Sequence, residues 1–599
     1  MVEARFDDLT GASTSFRLVE PVGVLEATRP DEVVPVLEAA EAAAGRGLWV
    51  AGLVAYEAAP GLDPRLRVRR REPDDPFAEL PLAWFGMFER AEASALPVPR
   101  DDGVPEAPEG TWVPAASRGR YEAAIRRIRE LIAAGETYQV NHTMRLRARV
   151  EGDVRGLYRD LVYAQRGAYA GSLDLGRYRV LSASPELFFE RRGDRIVTRP
   201  MKGTAPRGRW PAEDLAVAER LAASAKDRAE NAMIVDLLRN DLGRIGRPGS
   251  VHWDDAFAAE RYETVWQLTT TVSAELPAGT PTAEVFRALF PSGSVTGAPK
   301  VRTMEIVSEL EGSPRGVYCG AVGYLAPPGA DGPAARFNVA IRTVTVDTVS
   351  GTAEYGTGGG VTWASDPGDE YDEAVAKARV LTARRPPFEL LETMRHEPGE
   401  GVRHLDLHLE RLAESAAYFG FASDEDVARA AVERAVASAP SRASRVRLSV
   451  TRDGRTRATC TALAADADPI RLELDDLPQD PRDVFLYHKT SRRERYRAAA
   501  ARHPDADDVL LVNDRGEVTE STIANVAVRS GGRWWTPPLE AGLLPGIGRS
   551  IALAEGRVEE RPIPIAEALA AEELALVSDT RGWRPAELVA PERLRAASS

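Results

Sequence analysis

The chain has 599 residues, too many for one hydrophobic core, so at least two domains are expected. A formal net charge of -14 with no basic stripe argues against nucleic acid as a partner, and no apolar run reaches the length of a membrane span. Two cysteines, Cys319 and Cys460, offer neither a disulfide framework nor a metal spacing, and the acidic start from Met1 to Arg17 carries no targeting signal, so a cytoplasmic protein with small-molecule substrates is expected.

In chain order, Gly52–Tyr56 and Leu82–Gly86 read as buried strands. Leu96–Pro114 is rich in Pro, Gly, Asp and Glu and reads as a loop. A helix follows, with Ile125, Ile128, Leu131 and Ile132 on one stripe and Gly135 placed to end it. Tyr138, Val140, Met144, Leu146 and Ala148 then alternate with Gln139, Asn141, Thr143, Arg145 and Arg147, which predicts a strand with one polar face. Ala383–Pro387 is short and stiff, because each proline fixes φ and disfavours helix before it. The main boundary falls there: 1–384 (a segment 1–114 and a core 115–384), then 385–599. Helices and strands are mixed, so the first half reads as α+β, without internal repeats.

Four clusters carry chemistry in the first half. Ser184-Pro185-Glu186 precedes Arg199-Pro200-Met201-Lys202-Gly203-Thr204. Lys226-Asp227-Arg228-Ala229-Glu230-Asn231 opens an amphipathic stretch. Pro291-Ser292-Gly293-Ser294-Val295-Thr296-Gly297-Ala298-Pro299-Lys300 leads into a helix. Gly356-Thr357-Gly358-Gly359-Gly360 precedes Glu370-Tyr371-Asp372-Glu373 and Lys377. Glycine-rich turns leave backbone N–H groups bare and helix N-termini add positive dipole, which suits a small polyanion. The third cluster is not a nucleotide P-loop, because Lys300 does not directly follow Gly297. Glu230 and Glu373 could share a hard cation such as Mg²⁺. Each piece also has a plainer reading. Glu373 and Lys377, four apart, suit a surface ion pair. Glu230 suits a solvated helix face, Lys202 an exposed lysine, and Gln139 a residue facing water.

Together, from about Tyr121 to Arg379, these motifs resemble the chorismate-utilising family: anthranilate synthase component I, aminodeoxychorismate synthase component I, isochorismate synthases and salicylate synthases. The resemblance implies a two-sheet α/β sandwich that binds chorismate. Lys202 stands where anthranilate and isochorismate synthases usually carry alanine, and resembles the lysine of aminodeoxychorismate synthases. Gln139 stands where isochorismate and salicylate synthases place a water-activating lysine, which points to ammonia as nucleophile. The resemblance further implies that Glu230 and Glu373 hold Mg²⁺, that Glu186 protonates the departing C4 hydroxyl, and that Lys202 attacks C2 of the ring. Arg342 and the amides of Gly358, Gly359 and Gly360 would hold the enolpyruvyl carboxylate. Ser294, Lys377 and Thr204 match further substrate-binding positions. Gln267 departs from the pattern, replacing a histidine. Neither cysteine sits in a nucleophile motif, so a separate glutamine amidotransferase subunit is expected to supply ammonia.

From Phe388 to about Ala590, Leu390-Leu391-Glu392-Thr393-Met394-Arg395, His404-Leu405-Asp406-Leu407-His408-Leu409-Glu410-Arg411-Leu412, His488-Lys489-Thr490-Ser491, Glu517-Val518-Thr519-Glu520-Ser521, Asn525-Val526 and Leu544-Pro545-Gly546-Ile547-Gly548-Arg549 resemble fold-type IV pyridoxal-phosphate enzymes, an α+β fold. These include branched-chain and D-amino-acid aminotransferases and aminodeoxychorismate lyase. The resemblance implies that Lys489 joins the cofactor and that Glu520 pairs with its pyridine nitrogen. Arg411, Ile547, Gly548 and Thr580 would grip its phosphate. Gly548 replaces a threonine common in relatives, and His404, His408 and His488 read as structural rather than as metal ligands. A homodimer through this domain is one arrangement the resemblance allows.

The resemblance thus implies an aminodeoxychorismate synthase component I fused to a lyase that consumes its product. Two rival readings are an anthranilate synthase-like front domain, opposed by Lys202, and a non-catalytic docking or dimerisation module at the back, opposed by Lys489 and Glu520.

Overall fold

The computed structural model describes residues 2–10, 14–97, 111–382, 387–464 and 468–589. Residues 98–110 of the expected loop and 383–386 of the expected boundary lie outside the described residues. The chain divides into two compact units, residues 1–207 with 217–386, and 208–216 with 387–599. Both mix helices with sheet, as the α+β class requires.

In the first unit the described strands join into one hydrogen-bonded network of eighteen. The expected buried strands are Trp49–Val54 and Ala83–Ala93, paired antiparallel. The amphipathic helix runs Arg118–Ala133, capped by Ser117, and Gly135 takes φ +77° just past its end. Its Tyr121, Ile125 and Ile128 pack on Val140 and Met144 of strand Gln139–Arg149.

That strand departs from expectation. Its polar face does not meet water: Gln139, Thr143 and Arg145 are 1–3% exposed. Buried ions need partners, and Arg145 finds Glu311, which also pairs with Arg315 at 2.8 Å. Thr143 N donates to Glu311 Oε1 at 2.8 Å. Strand Thr352–Val361 runs antiparallel beside it, setting Gly360 opposite Asn141 and Gly358 opposite Thr143. The glycine run and the polar strand therefore line one floor.

In the second unit, Leu390–Glu397, Ser444–Val450 and Thr456–Ala462 build a small antiparallel sheet. Helix Leu405–Phe419 packs on it through Leu409, Leu412 and Ala416, ended by Gly420 in the left-handed region. An eight-stranded sheet, with Ile470–Leu474 parallel to both Asp508–Val512 and Gly582–Leu588, has its own core of Leu472, Leu510, Val526 and Leu576.

Candidate active sites

Strand Met201–Pro206 carries Lys202, and helix Ala225–Gly243 is clamped to it. Asn231 Nδ2 donates to Lys202 O at 3.2 Å and to Leu268 O at 3.4 Å, and Thr270 Oγ1 donates to Asn231 Oδ1 at 2.7 Å. The clamp fixes Glu230, one residue earlier, near the lysine. Across the site, a Cβ on Gly360 would lie 2.2 Å from Lys202 Nζ and 2.4 Å from Gln139 Nε2. Only glycine leaves both side chains their room. Gln139 does not face water; it is 1% exposed, and neither amide atom has a hydrogen-bond partner among the described residues.

Burial lowers the pKa of Lys202 most; Glu230 opposes that, Lys377 reinforces it, Glu370 and Glu373 oppose it, and the net shift is downward. A lysine so placed has access to its neutral, nucleophilic form. Glu370 had no assigned role in the motif, yet it faces the same volume. Burial raises its pKa, and the neighbouring Glu373 raises it further. Lys377 forms the expected i,i+4 pair, its Nζ 2.7 Å from Glu373 Oε1, and also donates to Gly358 O at 3.0 Å.

Glu186 is 3% exposed, and burial pushes its pKa up to about 7. It can hold a proton near neutral pH. Ser294, matched by resemblance to a substrate carboxylate, directs its hydroxyl to Glu186 Oε1 at 2.6 Å, with Ser292 Oγ 2.9 Å behind it. Thr204 Oγ1 donates to Gln267 Oε1 at 3.0 Å, so this glutamine serves as an acceptor. Arg342 sits at φ +52° and its Nη1 donates to Lys377 O at 3.4 Å. Glu230, Glu370 and Glu373 each act electrostatically on Lys202, and their carboxylate oxygens suit a hard cation by type.

The second unit holds a cavity of 340 Å³ lined by Lys489, Glu520, Arg411, Ile547 and Thr580. Burial lowers the Lys489 pKa, Arg411 adds to this, and the amine settles at about 8. Its backbone is stitched to the small sheet, with Leu391 N donating to Lys489 O at 2.9 Å. Glu520 is buried, which pushes its pKa up to about 7. Both its oxygens are fixed: Tyr496 Oη donates to Oε1 at 2.8 Å, and Leu544 N to Oε2 at 3.2 Å. An enclosed lysine, a fixed buried carboxyl at a distance in sequence, and an arginine beside a helix N-terminus make a donor set that fits pyridoxal phosphate.

Arg411 is more committed than the motif suggests. Its Nε and Nη2 clamp Glu392 at 2.9 and 2.6 Å, and Nη1 donates to Pro545 O at 2.9 Å. Gly548 lies outside the cavity lining. A Cβ there would stand 2.7 Å from Ser578 C and 2.8 Å from Asp579 N. The missing threonine therefore has a packing cause. Gly548→Thr is expected to destabilise the protein by about 1–3 kcal/mol, read as a lower Tm in thermal melting. An unchanged Tm would mean that the Ser578–Asp579 backbone yields freely. Tyr496, Glu392 and Asn231 are positions that sequence reasoning gave no role.

Residues 10–383, more than half of the chain, match the family model described as chorismate binding enzyme. The chain belongs to the chorismate-binding enzyme family. Residues 389–589 match the model for amino-transferase class IV, which implies pyridoxal phosphate in the second unit of this chorismate-binding enzyme. An aminodeoxychorismate synthase of Streptomyces griseus is 42% identical over 337 residues, 55% of this chain and 44% of that protein. An anthranilate synthase component 1 of Haloferax volcanii is also 42% identical, over 312 residues, 51% of this chain and 57% of that protein. The chain thus spans about half the length of these curated relatives, and identity alone does not separate the two names. Among solved structures, anthranilate synthase component I from Streptococcus pneumoniae shares the fold, with TM-score 0.53 and 24% identity over 62% of this chain and 93% of that one. No helix among the described residues is long and apolar enough to cross a membrane.

Proposed function

We propose that the chain converts chorismate to 4-aminobenzoate in two steps, amination in residues 1–384 and elimination of pyruvate in residues 385–599. The observation that carries the reading is Lys202, a partly buried lysine of lowered pKa that meets Gln139 across Gly360 and is influenced by Glu230, Glu370 and Glu373. Relatives named aminodeoxychorismate synthase support it.

In the first step Glu186, buried and able to hold its proton, delivers it to the C4 hydroxyl, which leaves as water. Neutral Lys202 forms a bond to C2 as both conjugated ring double bonds shift toward C4, giving a secondary ammonium. Ammonia then bonds to C4, the two double bonds shift back, and Lys202 departs as the neutral amine. The new C4 ammonium returns its extra proton to Glu186, so electrons and protons balance without a further co-reactant. Gln139 cannot take a proton from water, which leaves the more nucleophilic ammonia favoured. Glu230 and Glu373, with Glu370 beside them, would hold Mg²⁺, whose charge serves the ring carboxylate. Arg342 and the glycine run serve the enolpyruvyl carboxylate.

Ammonia needs a source. Burial pushes the Cys319 thiol up to about 11, far from the thiolate that glutamine hydrolysis requires. We assign ammonia supply to a separate amidotransferase subunit, and the whole assembly to the cytoplasm.

In the second step Lys489, Glu520, Arg411, Ile547 and Thr580 would hold pyridoxal phosphate, which supplies an electron sink beside the substrate's amine. The Lys489 amine, with a pKa of about 8, takes the proton from C4. Glu520, fixed by Tyr496 and Leu544, holds the proton at the pyridine nitrogen. Enolpyruvate leaves from C3 and the ring becomes aromatic, which drives the step.

Glu230→Gln and Glu373→Gln should each lose Mg²⁺-dependent amination, since each removes a charged oxygen ligand. Wild-type Mg²⁺ dependence in both would make them solvated helix faces. The reading as a whole is tested by product identity from chorismate and ammonium. A 4-amino product is expected, and a 2-amino product would make the front domain an anthranilate synthase.

A further inference from the structure

His408 lies between two carboxylates. Its Nδ1 is 2.7 Å from Glu392 Oε2 and its Nε2 is 3.0 Å from Asp579 Oδ2. All three are deeply buried, with His408 and Glu392 1% exposed and Asp579 9%. A neutral imidazole has one N–H and can donate to only one of them; the imidazolium donates to both.

The surrounding charges come from three segments. Helix Leu405–Phe419 contributes His404, whose Nδ1 is 2.6 Å from Asp579 Oδ1, and Arg411, which clamps Glu392. Strand Leu390–Glu397 contributes Glu392 and Arg395, whose Nη1 donates to Thr580 O at 3.4 Å. The turn after strand Glu573–Ser578 contributes Asp579 and, next to it, Thr580. Burial lowers the His408 pKa, but its hydrogen bonds to Asp579 and Glu392 outweigh this and hold it above the ordinary value. Burial likewise raises Glu392, yet Arg411 and His408 bring it down to about 2.

The same three segments present Arg411 and Thr580 to the cavity. Arg411 has five N–H groups, of which Glu392 and Pro545 take three, leaving two for a ligand. Without the imidazolium, Glu392 keeps only Arg411 and Asp579 only His404 as a side-chain partner among the described residues, and the negative charge left over would oppose an anion beside them. We infer that His408, as an imidazolium held between Glu392 and Asp579, is a positioning residue for the phosphate of the cofactor, neutralising the two carboxylates and setting Arg411 and Thr580 for that phosphate. The inference rests on the reading of this cavity as a pyridoxal phosphate site.

Pyridoxal phosphate and pyridoxal, which lacks the phosphate, separate this role from a merely structural one. Their affinities are measured by titration of wild-type, His408→Ala and His408→Gln full-length protein, followed at roughly 410–430 nm. His408→Ala should weaken pyridoxal phosphate about tenfold or more, because it strands buried charges, while pyridoxal changes by less than about threefold. His408→Gln keeps one amide donor and should show the same phosphate-selective loss at smaller size; it decides the matter if the alanine variant does not fold. Equal losses for the two ligands, or no loss, would overturn the inference while leaving the cavity a cofactor site. A wild-type protein that takes up no pyridoxal phosphate would overturn both.

Discussion

Lys202→Ala should abolish any covalent adduct with chorismate and lower amination on the order of 10³-fold or more, while chorismate still binds. The lysine stands among Glu230, Glu370, Glu373 and Lys377, and its Nζ is close enough to Gly360 that a methyl there would collide with it. It is not among the groups assigned to the substrate's carboxylates, which are Arg342, the glycine run and the glutamates that would hold Mg²⁺, so its loss removes a nucleophile rather than a binding contact. Removal leaves ammonia to displace water from C4 unaided. Mass spectrometry of protein quenched with chorismate reads the adduct directly. Mass added at any residue other than Lys202 would sink the assignment.

Lys489→Ala should leave amination intact and stop 4-aminobenzoate and pyruvate from appearing. The amine at a pKa of about 8 is the one base in the described cavity lining placed by the motif to take the C4 proton. The variant should also lose the visible band at roughly 410–430 nm. Elimination is expected to dominate over amino transfer because expelling enolpyruvate makes the ring aromatic, whereas transfer needs a keto-acid acceptor. Undiminished 4-aminobenzoate from purified Lys489→Ala protein would mean that another group takes the proton, or that this unit is not the lyase.

The motifs made much of the candidate chemistry legible because their residues are close in sequence. Glu230 is legible from its motif, whereas the role of its neighbour Asn231, which ties the helix to Lys202 O and Leu268 O, is not. Gly358 to Gly360 announce a close approach, although the sequence does not say that Lys202 and Gln139 make it. What stayed hidden depends on pairings across long separations. Ser294 and Glu186 are 108 residues apart, Tyr496 and Glu520 24, and Arg411 and Glu392 19. The alternation in 138–148 correctly signals a strand, but not that its polar face is sealed by Glu311, Arg315 and the neighbouring strand. Alternation reports two faces and not which one meets water. Gly548 is similar: as a departure from a motif it suggests a weakened phosphate grip, whereas packing against Ser578 and Asp579 explains it.

The most direct test is product analysis of purified wild-type, Lys202→Ala and Lys489→Ala proteins, each given chorismate, ammonium, Mg²⁺ and pyridoxal phosphate. Wild-type protein should yield 4-aminobenzoate and pyruvate in equal amounts. Lys489→Ala should accumulate aminodeoxychorismate, and Lys202→Ala should yield neither product above background. Anthranilate from the wild-type protein, or 4-aminobenzoate from the Lys489→Ala protein at the wild-type rate, would contradict the two-step account.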